Sequence, residues 1–228
     1  MVSFRSNLAA GLIFVCIFGA ATTQATDTNA VLDGWFAAQS SVHSIAADFV
    51  QTRTLKTLVQ PLKSSGRLWF EPPNQFRWEL GHPAQTIALR NGDDMYVIYP
   101  RLKRAEHYPL GASAPREWRS AMALLDAGFP RTRADFEAQF QIQSLTESEG
   151  KWQLDLQPKQ AAARKIMPDL RVFLSTNGYE LAGTELTFMD GSRMRNDFTK
   201  TEINAPVDEK IFQWKPPSDF TVTEPLGK

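Results

Sequence analysis

What this chain of 228 residues lacks narrows its function first. It has one cysteine, Cys16, so no disulfide framework and no Cys-x-x-Cys metal site can be built. Its three histidines, His43, His82 and His107, lie near no cysteine and at no metal-ligand spacing, and read as surface or turn residues. There is no Gly-x-Ser-x-Gly elbow, phosphate loop or dinucleotide fingerprint. Asp93-Asp94 follows Asn91-Gly92 in a turn-forming stretch, and Asp48 has no identifiable partner. The expectation is therefore no catalytic residue, no metal and no cofactor. Acidic and basic residues balance at 25 each, which leaves no basic excess to hold nucleic acid or an anionic membrane surface. No long apolar run follows the first two dozen residues.

That first stretch has the form of an export signal. Arg5 precedes an apolar run from Leu8 to Ala21, and Thr23-Gln24-Ala25 offers small residues for cleavage after Ala25. The run has 14 residues, short of the roughly 20 a spanning helix needs, so a cleaved peptide is favoured over an anchor. Phe14 and Val15 stand where small residues would precede a lipid-modified Cys16. Residues 1–25 are read as signal peptide and 26–228 as one exported domain. About 200 residues suit a single domain with a substantial core. Cleavage would remove the cysteine.

The rest of the chain is mostly strand. Residues 28–44 carry Val31, Leu32, Trp35 and Phe36 at helical spacing, with Asp27 or Thr28 as a cap. Strands are expected at 45–53, 65–70, 75–80, 85–90, 94–99, 102–108, 140–145, 151–157, 170–175, 181–190 and 194–201. The turns Asn91-Gly92, Glu149-Gly150, Asn177-Gly178 and Asp190-Gly191 punctuate an antiparallel meander. Residues 115–125, with Trp118, Met122, Leu124 and Leu125, suit an amphipathic helix, and 133–138 a shorter one. The tail after Pro206 suits a short turn or helix followed by extended, proline-rich chain. The fold class is α+β: a large, strongly curved antiparallel sheet covered by an N-terminal helix and a central helical insertion.

One stretch concentrates the chemistry. Gly66-Arg-Leu-Trp-Phe-Glu-Pro-Pro-Asn-Gln-Phe-Arg-Trp-Glu-Leu80 reads as a hairpin with its turn at 71–74, and Phe76, Trp78 and Leu80 share one face, away from Arg77 and Glu79. Phe49, Leu68, Phe70, Met95, Tyr96, Val97, Ile98 and Tyr99 lie on neighbouring strands. Such a surface either closes as an ordinary core or lines an apolar cavity, and composition leaves both open. The basic cluster Arg101-Leu-Lys-Arg104 reads as a solvated edge that discourages strand pairing, with an acidic docking partner as the alternative.

Four ordered segments resemble a known family. They are Ser44-Ile-Ala-Ala-Asp-Phe-Val-Gln51, the Gly66–Trp78 hairpin, Asn91-Gly-Asp-Asp-Met-Tyr-Val-Ile-Tyr-Pro100 and Pro206-Val-Asp-Glu-Lys-Ile-Phe-Gln-Trp-Lys-Pro-Pro217. Together they resemble the periplasmic outer-membrane lipoprotein carrier proteins, the LolA-like family. The resemblance implies an unclosed β-barrel with a helical lid and an apolar cavity for the acyl chains of a lipoprotein or another lipid. It also implies delivery from an inner-membrane transporter to an outer-membrane acceptor, with a monomer as the working unit. The expected cavity wall is Ile45, Phe49, Leu68, Phe70, Phe76, Trp78, Leu80, Met95, Tyr96, Ile98, Trp118, Met122 and Leu125. Where lipoprotein-carrying members have an arginine directly before the Pro-Asn of the hairpin tip, this chain has Pro72, which has no side-chain donor. A different lipidic cargo fits that departure. The alternative to a carrier is a lipid-sensing or regulatory domain of the same fold that binds a protein partner.

Overall fold

The computed structural model describes residues 27–111, 130 and 132–225. Helix α1 (Thr28–Gln39) starts where the Asp27 carboxylate accepts the Asn29 N–H at 2.9 Å, and it buries Val31, Leu32 and Trp35. It stops before Ser44, the end expected from spacing. Ser40 and Ser41 donate back to the carbonyls of Ala37 and Ala38 at 2.7 and 3.0 Å, while Asn204 accepts the N–H groups of His43 and Ser44 at 2.7 and 3.3 Å. Those bonds give the chain at 41–44 partners outside a helix.

The strands are β1 (Ile45–Thr54), β2 (Leu62–Glu71), β3 (Gln75–Leu80), β4 (Thr86–Asn91), β5 (Asp94–Tyr99), β6 (Arg104–Pro109), β7 (Phe140–Ser148), β8 (Lys151–Pro158), β9 (Asp169–Ser175), β10 (Leu181–Thr187), β11 (Arg193–Ile203) and β12 (Thr221–Thr223). Helix α2 (Arg133–Gln139) precedes β7, α3 (Ala161–Arg164) precedes β9, and short 3₁₀ turns occupy Pro100–Leu102 and Glu209–Phe212. The expected helix at 115–125 lies outside the described residues.

All twelve strands form one sheet in the order β12-β6-β5-β4-β3-β2-β1-β11-β10-β9-β8-β7. Two meanders are therefore joined through β1, which pairs with β2 on one side and β11 on the other. The outermost strands, β12 and β7, do not pair with each other, so the barrel is unclosed. Irregular register between β1 and β11, β9 and β10, and β7 and β8 supplies bends that help a wide sheet curl. Among the described strands one pair is parallel, β12 on β6, a departure from the all-antiparallel expectation.

Register assigns the faces. Across the inner face run Leu154 and Leu156 of β8, Leu170, Val172 and Leu174 of β9, Leu186 of β10, Met194 and Phe198 of β11, Ile45, Ala47 and Phe49 of β1, Leu68 and Phe70 of β2, and Phe76, Trp78 and Leu80 of β3. These belong to one cluster, closed on one side by Leu32 and Trp35 of α1 and Phe136 of α2. The ring of Trp35 lies 5.2 Å from that of Phe36 and 5.4 Å from that of Phe136, a packed aromatic joint between the two helices. The outer face is charged from β8 to β2. Arg171 bridges Asp155 and Glu185 at 2.8 and 2.9 Å, Arg195 holds Asp197 at 2.8 Å, and Asp48 meets Arg67 and Lys200 at 3.4 and 3.3 Å. Partly exposed pairs like these add little stability, but they keep that face wetted.

Candidate functional site

The centre of the inner face is an aromatic group around Trp78. Its ring centroid is 4.0 Å from that of Phe49 and 6.0 Å from those of both Phe76 and Phe198. Gly66 makes this possible. It sits opposite Phe49 on β2, and a Cβ there would collide with the Phe49 ring and the Glu79 carbonyl oxygen. The first glycine of the hairpin segment thus lets an aromatic ring of β1 lie flat over β2 and reach Trp78 on β3. Phe49 and Leu68 are fully buried, whereas Phe76, Trp78 and Leu80 are half-buried.

A buried polar chain crosses this apolar surface. Gln51 Nε2 donates to Asn196 Oδ1 at 3.0 Å, and Asn196 Nδ2 donates to Thr184 Oγ1 at 3.2 Å, which links β1, β11 and β10. Gln51 and Asn196 are 7% and 4% exposed. Pairing lowers the cost of burying both amides, and the bonds help fix the register of strands distant in sequence.

Beside the aromatic group, a cleft opens between the end of α1 and the β9–β10 turn. Val42, Ile45, Ala47, Leu68, Tyr179, Leu181 and Phe198 are among its lining residues. Tyr179, at φ +57°, lays its ring on Gly34 so closely that a Cβ at Gly34 would strike it. The free volume is about 40 Å³. A cavity of roughly 150 Å³ can hold a benzene ring, so this cleft is small for an acyl chain as it stands. Close packing holds around Phe49 and Leu68, whereas Phe76, Trp78 and Leu80 farther along the same face stay half-buried.

Of the residues expected along the cavity wall, Ile45, Phe49, Leu68, Phe70, Phe76, Trp78 and Leu80 lie in one hydrophobic cluster. Met95 lies on the same face by register, opposite Arg90. Tyr96 and Ile98 do not join them. They project from the outer face, with Ile87, Leu89 and Ala105, and pack under the C-terminal tail through Trp214 and Phe220. The segment Met95-Tyr-Val-Ile-Tyr99 is apolar on both faces, since its outer side packs under the tail and its inner side carries Met95 and Val97, so no alternation marks which side is inner. Trp118, Met122 and Leu125 lie outside the described residues. Phe198, Met194 and the buried leucines of β8 and β9 share this face without having been marked out by the sequence. The alternation Met194-x-Asn196-x-Phe198 was present, but the pairing of β11 with β1 was not deducible from it.

The tail over the outer cluster is fixed by charge as well. Arg77 donates to the Ile211 carbonyl at 2.9 Å and pairs with Glu79 at 2.6 Å. His107 contacts Asp94 at 2.7 Å and Glu224 at 3.0 Å, with its ring stacked 4.6 Å from Tyr96. Burial alone would lower the pKa of His107, but the bonds to both carboxylates outweigh it and hold the imidazole above its ordinary value. Burial, reinforced by the charges of Asp94 and Glu224, pushes the Tyr96 hydroxyl up. No group of three or more metal-ligating side chains occurs among the described residues.

An unclosed antiparallel barrel with an apolar inner face and helices against one side defines a class of binding scaffold. The family described as "Outer membrane lipoprotein carrier protein LolA" matches residues 40–215, and the chain belongs to it. Outer-membrane lipoprotein carrier proteins of Methylococcus capsulatus and Methylibium petroleiphilum are 26% and 27% identical, over 81% and 90% of this chain and 83% and 91% of theirs. Among solved structures, an uncharacterized conserved protein of Thermus thermophilus shares the fold at a TM-score of 0.50 and 10% identity, covering 86% of this chain and 98% of that one. A LolA superfamily protein from Nitrosomonas europaea aligns at a TM-score of 0.43 and 9% identity over 83% of this chain and 99% of its own.

Proposed function

We propose that the protein is a non-enzymatic periplasmic carrier that holds the acyl chains of a lipoprotein or similar lipid against the inner face of its sheet. In this reading it ferries them toward the outer membrane, from a transporter to an acceptor. The observation that carries this is the continuity of the apolar face. The half-buried Phe76, Trp78 and Leu80 adjoin the fully buried Phe49 and Leu68, so one unbroken apolar surface runs from core to partial exposure. Membership of a lipoprotein carrier family supports the same reading. Each buried methylene contributes ~0.8 kcal/mol, so two or three chains can offset extraction from a membrane. The cleft beside α1 has about 40 Å³ of free volume, so in this reading the acyl chains lie along the half-buried Phe76–Leu80 face rather than in that cleft alone. Phe49, Leu68, Phe70, Phe76, Trp78, Leu80, Ile45 and Met95 are the proposed wall.

The test is native mass spectrometry of gently purified protein with lipid extraction, followed by titration with a fluorescent fatty acid. Bound or bindable acyl chain is expected, and Trp78→Glu should weaken uptake more than it lowers thermal stability. Absence of any acyl binding, or equal loss of uptake and stability in Trp78→Glu, would refute the reading in favour of a closed core.

A further inference from the structure

The zero net charge conceals a strong polarity. In an antiparallel sheet alternate turns fall at opposite ends. At one end lie the β1–β2 loop, the β3–β4 turn, which has no Lys, Arg, Asp or Glu, the β5–β6 turn, the start of β12 with Asp219 paired to Lys103 at 2.8 Å, the α3 segment before β9 and the β10–β11 turn. Residues 53–63, 100–104, 159–169 and 188–193 of that end carry ten Lys and Arg against two Asp. The turns at the other end, 71–74, 91–94, 147–151 and 175–180, carry six Asp and Glu against one Lys.

The basic end is also where apolar side chains face water. Val59 is 101% exposed, Leu102 70%, Met189 63% and Leu62 50%, and Leu58 and Ile166 are exposed beside them. Nine large hydrophobics are exposed among the described residues, and these six share one end. They are not scattered in space either. Met189 N–H donates to the Ile166 carbonyl at 3.4 Å, and the Lys56 side chain lies against Gly191, so the β1–β2 loop, the β10–β11 turn and the α3 segment form one tip. The charge of Lys56 helps hold the Asp190 carboxyl below its usual range, after the hydrogen bonds from Ser192. A solvated edge would need only the charges. A protein face would gather its apolar groups into a central patch ringed by charge. Apolar tips on separate turns, interleaved with Lys and Arg, instead match a surface that settles into a headgroup layer.

We propose that this end docks the protein on an anionic phospholipid surface, with Leu58, Val59 and Met189 entering the headgroup layer and Lys56, Lys63 and Lys165 pairing with lipid phosphates. The acidic end then points away from the membrane, so the charge separation also orients the molecule.

The test is co-sedimentation of the full mature chain with phosphatidylcholine vesicles and with vesicles in which a third of the lipid is phosphatidylglycerol. Binding is expected only to the anionic vesicles, and it should fall steeply as salt is raised, because screening shortens the reach of exposed charges. Lys56→Gln with Lys165→Gln should weaken it about 30-fold, the effect of two charges at ~1 kcal/mol apiece near an anionic surface. Leu58→Ser with Val59→Ser, at exposed loop positions, should weaken it at unchanged net charge. Equal binding to both vesicle types, binding to neither, or variants that bind like the parent would overturn the proposal; binding to neither is also the outcome if the tip serves an acidic protein instead. Fatty-acid uptake measured without vesicles should be unchanged in both variants, which separates failure of docking from failure of the carrier reading.

Discussion

Replacing Gly66 with alanine is the sharpest test of how the inner face is built. The added Cβ meets two obstacles of different kinds. One is the Glu79 carbonyl oxygen, backbone of the adjacent strand and fixed by its ladder; the other is the Phe49 ring. The ring must move to relieve its own clash, and the carbonyl clash forces a backbone adjustment between β2 and β3 besides. Moving the ring breaks the 4.0 Å contact with Trp78. Overpacking of a tight core costs about 1–3 kcal/mol, and a lost aromatic pair about 0.5–1.5 kcal/mol more. The sum, about 3 kcal/mol, corresponds to roughly 6–12 °C in Tm for a domain of this size. Near-ultraviolet circular dichroism would follow both unfolding and the Trp78 environment. Phe49→Leu shortens the obstructing ring, so Gly66→Ala should cost at least ~1 kcal/mol less in that background than in the parent. A Gly66→Ala protein within ~0.5 kcal/mol of the parent, or strictly additive costs, would show that Gly66 does not make room for Phe49.

Two further outcomes follow from the polar contacts. Asn196→Ala leaves the Gln51 amide buried without its acceptor and should destabilise by about 1–3 kcal/mol in urea, whereas Asn196→Leu combined with Gln51→Leu should recover most of that loss; equal losses would mean the amide pair is not the cause. His107 has a folded-state pKa raised above its ordinary value near 6.5, so the stabilisation from Asp94 and Glu224 is full below that pH and fades as pH rises through the folded pKa. Amide exchange at 221–225 should therefore quicken between mildly acidic and mildly alkaline pH, and Glu224→Gln should flatten the trend; a pH-independent rate, after correction for intrinsic exchange, would count against the clasp.

Legibility in the sequence followed local signals. Strand β3 was placed to the residue because Phe76, Trp78 and Leu80 alternate strictly and a proline turn precedes them. Strand β5 was equally clear because Asn91-Gly92 announces its turn, with Gly92 at φ +65°. Three things were not legible. The faces of β5 were hidden because the tail covers its outer side. Strand β12 is three residues long and close after Pro217, too short for any period. The β1–β11 pairing is a tertiary choice between strands about 150 residues apart, and nothing local in either strand specifies it. The aromatic group was therefore half visible: Phe49, Phe76 and Trp78 could be read from the sequence, while Phe198 needed the sheet order.

That sheet order has a kinetic consequence. The strands β2–β6 form a run of sequence neighbours, as do β7–β11, so each half can zip up from local hairpins. The seam between the halves is β1 against β11, and loop closure over most of the chain must precede it. Folding should therefore be slow in its last step, with two preformed half-sheets waiting on a single long-range stitch. For a chain that the proposed export threads through a membrane before it folds, such a late seam is an advantage. Asn204, which ties the end of β11 to the chain just ahead of β1, and the Gln51–Asn196 pair then serve as the fasteners that hold the seam once it has formed.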